Sequence, residues 1–357
     1  MPKMKLSDIA RIRLLQQKIT GKKHSTAKDT VQWMGVMQAQ DYAMAKWAVG
    51  IRTDGATIGT VQSALDKGEI LRTHVLRPTW HFVSSDDIYW MLELTAPHIR
   101  SLLKAGQREF EHTAKILDKC QTIFEKKLKG HCHSTRDELK HELTKAKIRV
   151  DNNRSSLIFL WAESEGILCS GADKNGKQTY ALLPERAPRP GAVKREDALA
   201  QLARRYFTSH CPATLQDFTW WSGLSVGDAR NALEMIKPDL VSETIGSHIY
   251  WLPDSLAIPK KENSTHLLPA FDEYLISYKD RSAALSLDDH KKSVSNNGIF
   301  WPVVVIDGQV TGRWRRSVKT GKVVIEKEYF RRHSKAELNG IEKAANTFSE
   351  FYKPVEG

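Results

Sequence analysis

Residues 155–182, SSLIFLWAESEGILCSGADKNGKQTYAL, decide the fold class of this chain. Residues 155–165 predict a helix, which Gly166 ends. Two runs rich in β-formers follow, 167–169 and 179–182, and they flank a polar turn that contains Asn175-Gly176, a strong hairpin signal. A helix that leads directly into a β-hairpin predicts an α+β fold for this part of the chain.

The same order of helices and then a hairpin occurs in two further stretches. In residues 6–85, helical patterns precede a hairpin over residues 70–83, with Arg77-Pro78 near its middle. In residues 190–253, three helices precede a hairpin that turns at Gly246. Three helices and a hairpin make a winged helix, whose third helix can enter the major groove of DNA while the wing touches the backbone. The alternative is three helical bundles with incidental hairpins.

The last part of the chain has a different pattern. Strand-like segments at 299–306, 309–316 and 322–328 are linked by Asp307-Gly308 and Thr320-Gly321, and an amphipathic helix closes the chain over 337–352. The prediction is therefore an α+β protein of three tandem winged-helix modules followed by a small C-terminal β-barrel-like domain. The predicted domains are residues 1–98, 99–187, 188–262 and 263–357.

The composition indicates a basic globular protein. Of 357 residues, 41% are hydrophobic and 27% charged, and Lys and Arg exceed Asp and Glu by 54 − 42 = +12. This balance favours a polyanionic partner, nucleic acid first, over the alternative of a solvated basic surface without a partner. No run of about 18 apolar residues occurs, so no transmembrane helix is predicted.

The cysteines and histidines predict neither disulfides nor a metal site. The four cysteines are far apart and form no Cys-x-x-Cys pair, which is typical of reduced thiols in a cytoplasmic protein. His131-Cys132-His133 has no second ligand cluster at zinc-finger spacing, so a loop before a helix is the favoured interpretation.

Two glutamines near the N-terminus are the candidate catalytic residues. Gln38 and Gln40 follow a helix that is predicted to carry Val31, Met34 and Met37. In extended backbone, side chains two residues apart lie on the same side. Two amides there could hold a water molecule or contact a base edge, because each has donors and an acceptor. On the residues alone, the favoured alternative is that the glutamines cap the end of a helix.

Several motifs occur in a fixed order along nearly the whole chain: MQAQD (37–41), RPTWHFV (77–83), DFTWWSGL (217–224), LPAFDEYL (268–275), GIFWP (298–302) and GRWRR (312–316). With these motifs the chain resembles the AlkZ/YcaQ-like DNA glycosylases. The resemblance implies winged helices and a β-barrel in a C-shape around duplex DNA. It also implies a monomeric, monofunctional DNA glycosylase without a cofactor, acting in the cytoplasm on nucleoid DNA.

The implied substrates are alkylated bases of the N7-alkylguanine type, and some family members unhook interstrand crosslinks. One branch of the family carries Gln-x-Gln as its catalytic motif and another carries Gln-x-Asp. Gln38 and Gln40 match the first form. Asp41 is displaced by one position from the Asp of the second form, so it is not assigned as a catalytic acid.

Further candidates concern contacts with DNA. The hairpin tip at Arg77-Pro78 is predicted to press on the duplex, Trp80 to stack and His81 to contact a phosphate. The alternatives are core packing for Trp80 and a hydrogen-bonded structural role for His81. The predicted backbone contacts of the last domain are Arg313, Arg315 and Arg316, and the alternative for them is a solvated basic face.

Asp272 and Glu273 form an adjacent acidic pair. On a strand their side chains would point to opposite faces, so they are interpreted as scaffolding rather than as a shared acid-base site. The other function considered is a winged-helix DNA-binding protein without catalysis, such as a transcriptional regulator. A regulator usually needs a dimer or an effector domain, and the sequence shows no heptad segment for one.

Overall fold

The structure is a computed structural model, and it describes residues 4–111, 113–254, 256, 258–261, 263–319 and 322–353. The helices are α1 (Leu6–Gln16), α2 (Ala27–Met34), α3 (Tyr42–Gly50), α4 (Ile58–Asp66), α5 (Ile88–Glu109), α6 (Ala114–Leu128), α7 (Arg136–Lys145), α8 (Asn152–Ser164), α9 (Leu183–Arg186), α10 (Arg195–Ser209), α11 (Leu215–Ser222), α12 (Val226–Ile236), α13 (Glu273–Ile276), α14 (Leu287–Ser293) and α15 (Lys335–Phe351).

Short strands, most of them in pairs or runs, are interspersed among these helices, which confirms the α+β class. They are β1 (Val36–Gln38), β2 (Ile70–His74), β3 (Trp80–Ser84), β4 (Ser134–Thr135), β5 (Leu168–Ser170), β6 (Thr179–Leu182), β7 (Leu240–Ile245), β8 (His248–Pro253), β9 (Thr265–Leu268), β10 (Val303–Ile306), β11 (Gln309–Lys319) and β12 (Lys322–Tyr329). Within the described ranges, no helix has both the length and the apolar composition needed to cross a membrane.

The chain divides into two compact units. The first unit contains Met1–Gln62, Leu199–Trp221 and Ser225–Gly357, and the second contains Ser63–Ala198 and Ser222–Leu224. Each unit therefore contains segments that are separated in sequence. The division of the sequence at residues 98, 187 and 262 stays a prediction.

The second unit contains the hairpin from which the α+β class was predicted. Strands β5 and β6 pair antiparallel, β4 adds to the outer side of β6, and Leu168 opposes Leu182 in the register. Helices α6, α7 and α8 pack their apolar faces into one core with this sheet, which includes Phe124, Leu139 and Phe159. The hairpin of β2 and β3, also antiparallel, has the predicted Arg77-Pro78 segment at its turn.

One predicted helix of this unit is wrong. The apolar pattern over residues 99–128 predicts a single long helix. In the structure α5 ends at Glu109 and α6 begins after Thr113, whose hydroxyl accepts a hydrogen bond from the Ile116 N–H at 3.3 Å. Glu111 has a φ of +56° in the turn between them, a conformation that a continuous helix does not allow. A capping threonine thus starts a new helix where the apolar pattern continues.

The first unit contains a C-terminal sheet that corrects the β-barrel expectation. Within the described residues, this sheet has the order β12-β11-β10-β9, with β12 and β9 on the outside, so it is open. A barrel is closed only when its first and last strands pair with each other. Helix α15 covers the sheet instead, with Phe348 packed edge-on against Trp314 at 4.7 Å between ring centroids. The predicted turn at Asp307-Gly308 is present, and Thr320-Gly321 lies outside the described residues.

Candidate active site

The two glutamines lie on the segment that connects β1 to α3. Helix α2 ends at Gly35, whose φ of +79° turns the chain out of the helix, so the predicted helical position of Met37 is wrong and Val36–Gln38 is a strand. The side chain of Asp41 caps α3 and accepts a hydrogen bond from the Met44 N–H at 3.0 Å. The helix cap is therefore Asp41 rather than either glutamine. Gln38 is 5% exposed, and Gln40 is exposed.

Glu273 is the acidic side chain that contacts this segment. Its Oε1 accepts a hydrogen bond from the main-chain N–H of Gln38 at 2.5 Å. Its Oε2 accepts from Trp221 Nε1 at 3.3 Å and from the Ser277 hydroxyl. The Nε2 of His210 lies 3.8 Å from the same oxygen, beyond a normal hydrogen bond but close enough for electrostatic attraction. All these residues belong to the first unit, and Glu273 is 1% exposed.

The local structure of Asp272 and Glu273 differs from the strand that was assumed for them. Asp272 is the N-cap of α13 and accepts from the Tyr274 N–H at 2.9 Å. Its two oxygens also accept from Arg52 at 2.9 and 2.7 Å. Arg52 is 0% exposed and donates further to Gln17 and to the Ala48 carbonyl. Asp272 thus anchors the start of α13, and the same helix start carries Glu273.

Hydrogen bonds and neighbouring charges set the protonation of this cluster. Burial raises the pKa of Glu273, but His210, the Ser277 hydroxyl and the Gln38 N–H lower it by more, so the pKa lies below the usual range of a glutamate. Burial, helped by Arg52 and Arg13, lowers the pKa of His210, although Glu273 acts to raise it. His210 stacks on Tyr206 at 4.9 Å, and its Nδ1 is 2.8 Å from the Ser209 hydroxyl. An ionised Glu273 beside a neutral His210 is the arrangement that these shifts favour.

The lowered pKa of His210 predicts a loss of stability in weak acid. In the unfolded chain a histidine titrates near about 6.5, whereas burial lowers the pKa of folded His210. Below about pH 6.5 the unfolded state therefore binds a proton that the folded state does not, and the free energy of unfolding falls. Denaturant unfolding at about pH 7.5 and about pH 5.5 should show a smaller fall for His210→Gln than for wild type, while a change at the exposed His141, His141→Gln, should not alter it.

A cleft of about 780 Å³ lies next to this segment in the first unit. Asp41 and Met44 form part of its wall, and Trp301 is 41% exposed within it. The remaining wall includes Phe271, Ile299, Phe300, Arg313, Arg315 and Arg316. Aromatic faces next to guanidinium groups are a combination that suits a stacked base and its phosphate.

The arginines of the GRWRR motif have partners that the motif alone does not show. Arg313 pairs with Glu328 at 2.7 Å and Arg315 with Glu326 at 2.5 Å across β11 and β12. The guanidinium of Arg316 lies 4.6 Å from the ring centroid of Tyr352. Trp314 is buried and faces away from Arg313 and Arg315, as alternation along a strand predicts. Exposed ion pairs contribute only about 0–1 kcal/mol, so a phosphate can compete for these arginines.

The β2–β3 hairpin places its three candidates differently. Pro78 is exposed at the turn and Arg77 is half-buried. Trp80 is half-buried between the His74 ring and the Arg72 guanidinium, both about 4.1 Å away, and packs on the core of the second unit. His81 is 1% exposed, and its Nδ1 lies 2.9 Å from the Thr79 carbonyl oxygen. This geometry favours the packing alternatives for Trp80 and His81 and leaves Arg77-Pro78 as the accessible part of the hairpin.

Sequence reasoning missed the group around Glu273. His210 and Ser277 had no recognisable motif, and Trp221 was noted only within DFTWWSGL. Nowhere in the described ranges do three or more His, Cys, Asp or Glu side chains come together so that they could hold a metal ion. The groups that surround Glu273 and Gln38 in this site are amide, carboxylate, imidazole, indole and hydroxyl groups.

Comparisons with known proteins agree over nearly the whole chain. The sequence profile of the DNA glycosylase AlkZ-like family matches residues 31–351. An interstrand DNA cross-link repair glycosylase from Streptomyces sahachiroi is 24% identical over 324 residues, which cover 85% of this chain and 85% of that protein. The solved structure of Streptomyces sahachiroi DNA glycosylase AlkZ superposes with a TM-score of 0.80 at 21% identity, covering 98% of this chain and 97% of that chain.

Proposed function

The chain belongs to the AlkZ-like DNA glycosylase family, and from this premise we propose that it is a monofunctional glycosylase that hydrolyses the N-glycosidic bond of N7-alkylguanine-type bases in duplex DNA. We extend the proposal to interstrand crosslinks, since the Streptomyces sahachiroi relative is named for their repair. The observation that carries the proposal is the Gln38–Gln40 segment, held against the buried carboxylate of Glu273 and adjoining a cleft with aromatic and cationic walls.

The chemistry of the substrate matches what this segment offers. A guanine alkylated at N7 carries a positive charge and is already a good leaving group, so little acid assistance is needed. The reaction requires an oriented water molecule and stabilisation of the positive charge that develops on the sugar. The amides of Gln38 and Gln40 can hold a water without titrating, although they cannot act as strong bases.

No step of this reaction needs a covalent intermediate. The proposed mechanism is direct hydrolysis: water adds to the sugar carbon as the carbon–nitrogen bond breaks and the neutral alkylated base departs. The proton of the water is then released to solvent. A lysine nucleophile is not part of the proposal, so strand cleavage by a lyase step is not expected.

In this proposal the chain contains winged-helix modules, and these modules bind DNA together with the arginines. Basic residues contact the backbone at Arg77, Arg313, Arg315 and Arg316, and a monomer suffices to hold the duplex. Trp80 and His81 act by shaping the hairpin that carries Arg77, since both pack within the second unit. The place of action that follows is the cytoplasm of a bacterial cell, at its nucleoid.

The test of this proposal is base release from a defined duplex. Wild-type protein in excess over a duplex with a single N7-methylguanine is expected to release that base, well above the spontaneous rate, and to leave an abasic site. Liquid chromatography of the released base and alkaline cleavage of the strand measure the two products. The undamaged duplex of the same sequence is the control and should stay intact.

Two outcomes separate the enzyme from a non-catalytic DNA-binding protein. Release of N7-methylguanine supports a glycosylase, and unhooking of a crosslinked duplex then tests the wider substrate range. Tight duplex binding without release from either substrate would contradict the proposal and favour a regulator.

A further inference from the structure

We propose that Glu273 is a positioning residue, which holds the main chain of Gln38 so that the Gln38 side chain presents its amide to the reacting sugar. This inference rests on the proposed function. From the acidic motif alone, Glu273 is interpreted as scaffolding. The inference instead gives its side chain a role in placing Gln38. Asp272 and Glu273 are adjacent in sequence, but different groups surround their carboxylates.

Different groups compensate the negative charges of the two carboxylates. Asp272 faces a cation, because Arg52 donates to both of its oxygens. Glu273 instead faces three neutral donors, the Gln38 N–H, the Trp221 indole N–H and the Ser277 hydroxyl, with His210 at 3.8 Å. Burying a carboxylate among neutral donors is unfavourable compared with burying a neutral acceptor. Asp272, paired with Arg52, already anchors the start of α13.

The group that Glu273 holds is the main chain of the proposed catalytic segment. A strand N–H is usually satisfied by the carbonyl of a neighbouring strand. Here a carboxylate accepts from the Gln38 N–H at 2.5 Å, and hydrogen bonds to an ionised acceptor are shorter and stronger than neutral ones. Trp221 and Ser277 fix the other oxygen, so the carboxylate cannot rotate freely.

This arrangement fits positioning better than support of the fold. A shift of about 1 Å in a group that orients a reactant reduces a rate by about 100-fold. Gln40 is exposed and Asp41 is fixed by α3, so the Glu273 contact secures the segment at its other end. Together the two contacts hold the connection between β1 and α3 from both sides.

The variants Glu273→Met and Glu273→Gln test the proposal. Met has a similar shape but accepts no strong hydrogen bond, whereas the carboxamide oxygen of Gln can still accept from the Gln38 N–H. We expect the single-turnover rate of base release to fall by about 100-fold in Glu273→Met and to recover in part in Glu273→Gln. The dissociation constant for the duplex should stay within about 3-fold of wild type, since Glu273 is buried.

A matched control lies one residue further along the same helix. The Tyr274 hydroxyl donates to the Gly308 carbonyl at 2.7 Å, in the turn between β10 and β11. Tyr274→Phe should lower thermal stability but keep the rate of the folded enzyme. A Glu273→Met rate that equals wild type, or that falls only as far as the Tyr274→Phe rate does, would overturn the proposal.

A readout without DNA separates this inference from the proposed function. With selective ¹⁵N-glutamine labelling, the Gln38 amide proton of wild type should resonate downfield and exchange slowly, and both features should be lost in Glu273→Met. If these features are present but wild type releases no base, the proposed function fails while the contact stands. If the wild-type Gln38 amide exchanges as fast as an exposed amide, the positioning role itself is wrong.

Discussion

The double variant Gln38→Ala, Gln40→Ala is expected to lose base release by about 100-fold or more while it still binds duplex DNA. The two amides are proposed to orient the attacking water and to face the positive charge on the sugar, and removing such groups reduces rates by about 10²–10³-fold. Binding should persist because the proposed phosphate contacts lie elsewhere, at Arg77 and on β11. Single-turnover release from an N7-methylguanine duplex measures the loss of activity. A fluorescence anisotropy titration with the same duplex measures binding.

Two controls make this result specific. Gln121→Ala changes a half-buried glutamine of the second unit, whose side-chain amide donates to Glu125, and should have wild-type activity. Because Gln38 is buried, its substitution can also destabilise the protein. Thermal unfolding of each single variant shows whether a loss of activity comes from a smaller folded fraction. Equal rates for wild type and the double variant would remove the glutamines from the site and require another set of residues.

Local sequence signals predicted much of the fold. The hairpins at 70–83, 167–182 and 241–252 are present because their turns contain residues suited to them, such as Asn175-Gly176 and Gly246. The buried Trp314 lies between the half-buried Arg313 and the exposed Arg315, as alternation along a strand predicts. These features depend on residues close in sequence, so pattern and propensity were sufficient.

The site required contacts that no local pattern reports. Glu273 and Gln38 are 235 positions apart in the sequence, and the paired residues Arg52 and Asp272 are 220 positions apart. A polar residue before a short apolar run fits either a strand or the start of a helix. The sequence pattern therefore allows a strand for the adjacent carboxylates, whereas in the structure Asp272 caps a helix. The predicted β-barrel is wrong for a similar reason. The sequence pattern indicates the strands, but it does not show that α15 packs over the sheet they form.

Arg52→Met is expected to be among the most destabilising substitutions in the first unit. Arg52 and Asp272 are both buried, at 0% and 3% exposure, and the substitution leaves the Asp272 carboxylate without its cation. Breaking a buried ion pair by removing one partner costs about 3–5 kcal/mol. Chemical denaturation should show this loss as a lower midpoint, and the Gln38 segment should loosen with it, because Arg52 also holds Gln17, which donates to the Glu273 carbonyl.

The double variant Arg52→Met, Asp272→Asn distinguishes the loss of charge balance from the loss of packing. Removing the unpaired charge should restore part of the stability, because the remaining amide can still cap α13. The matched change nearer the surface is Arg154→Met, which breaks a pair with the exposed Asp151 at 2.9 Å and should cost much less stability than the loss of the buried pair. If Arg52→Met and Arg154→Met destabilised the protein equally, the buried pair would not anchor α13, and another contact would have to hold Glu273 against Gln38.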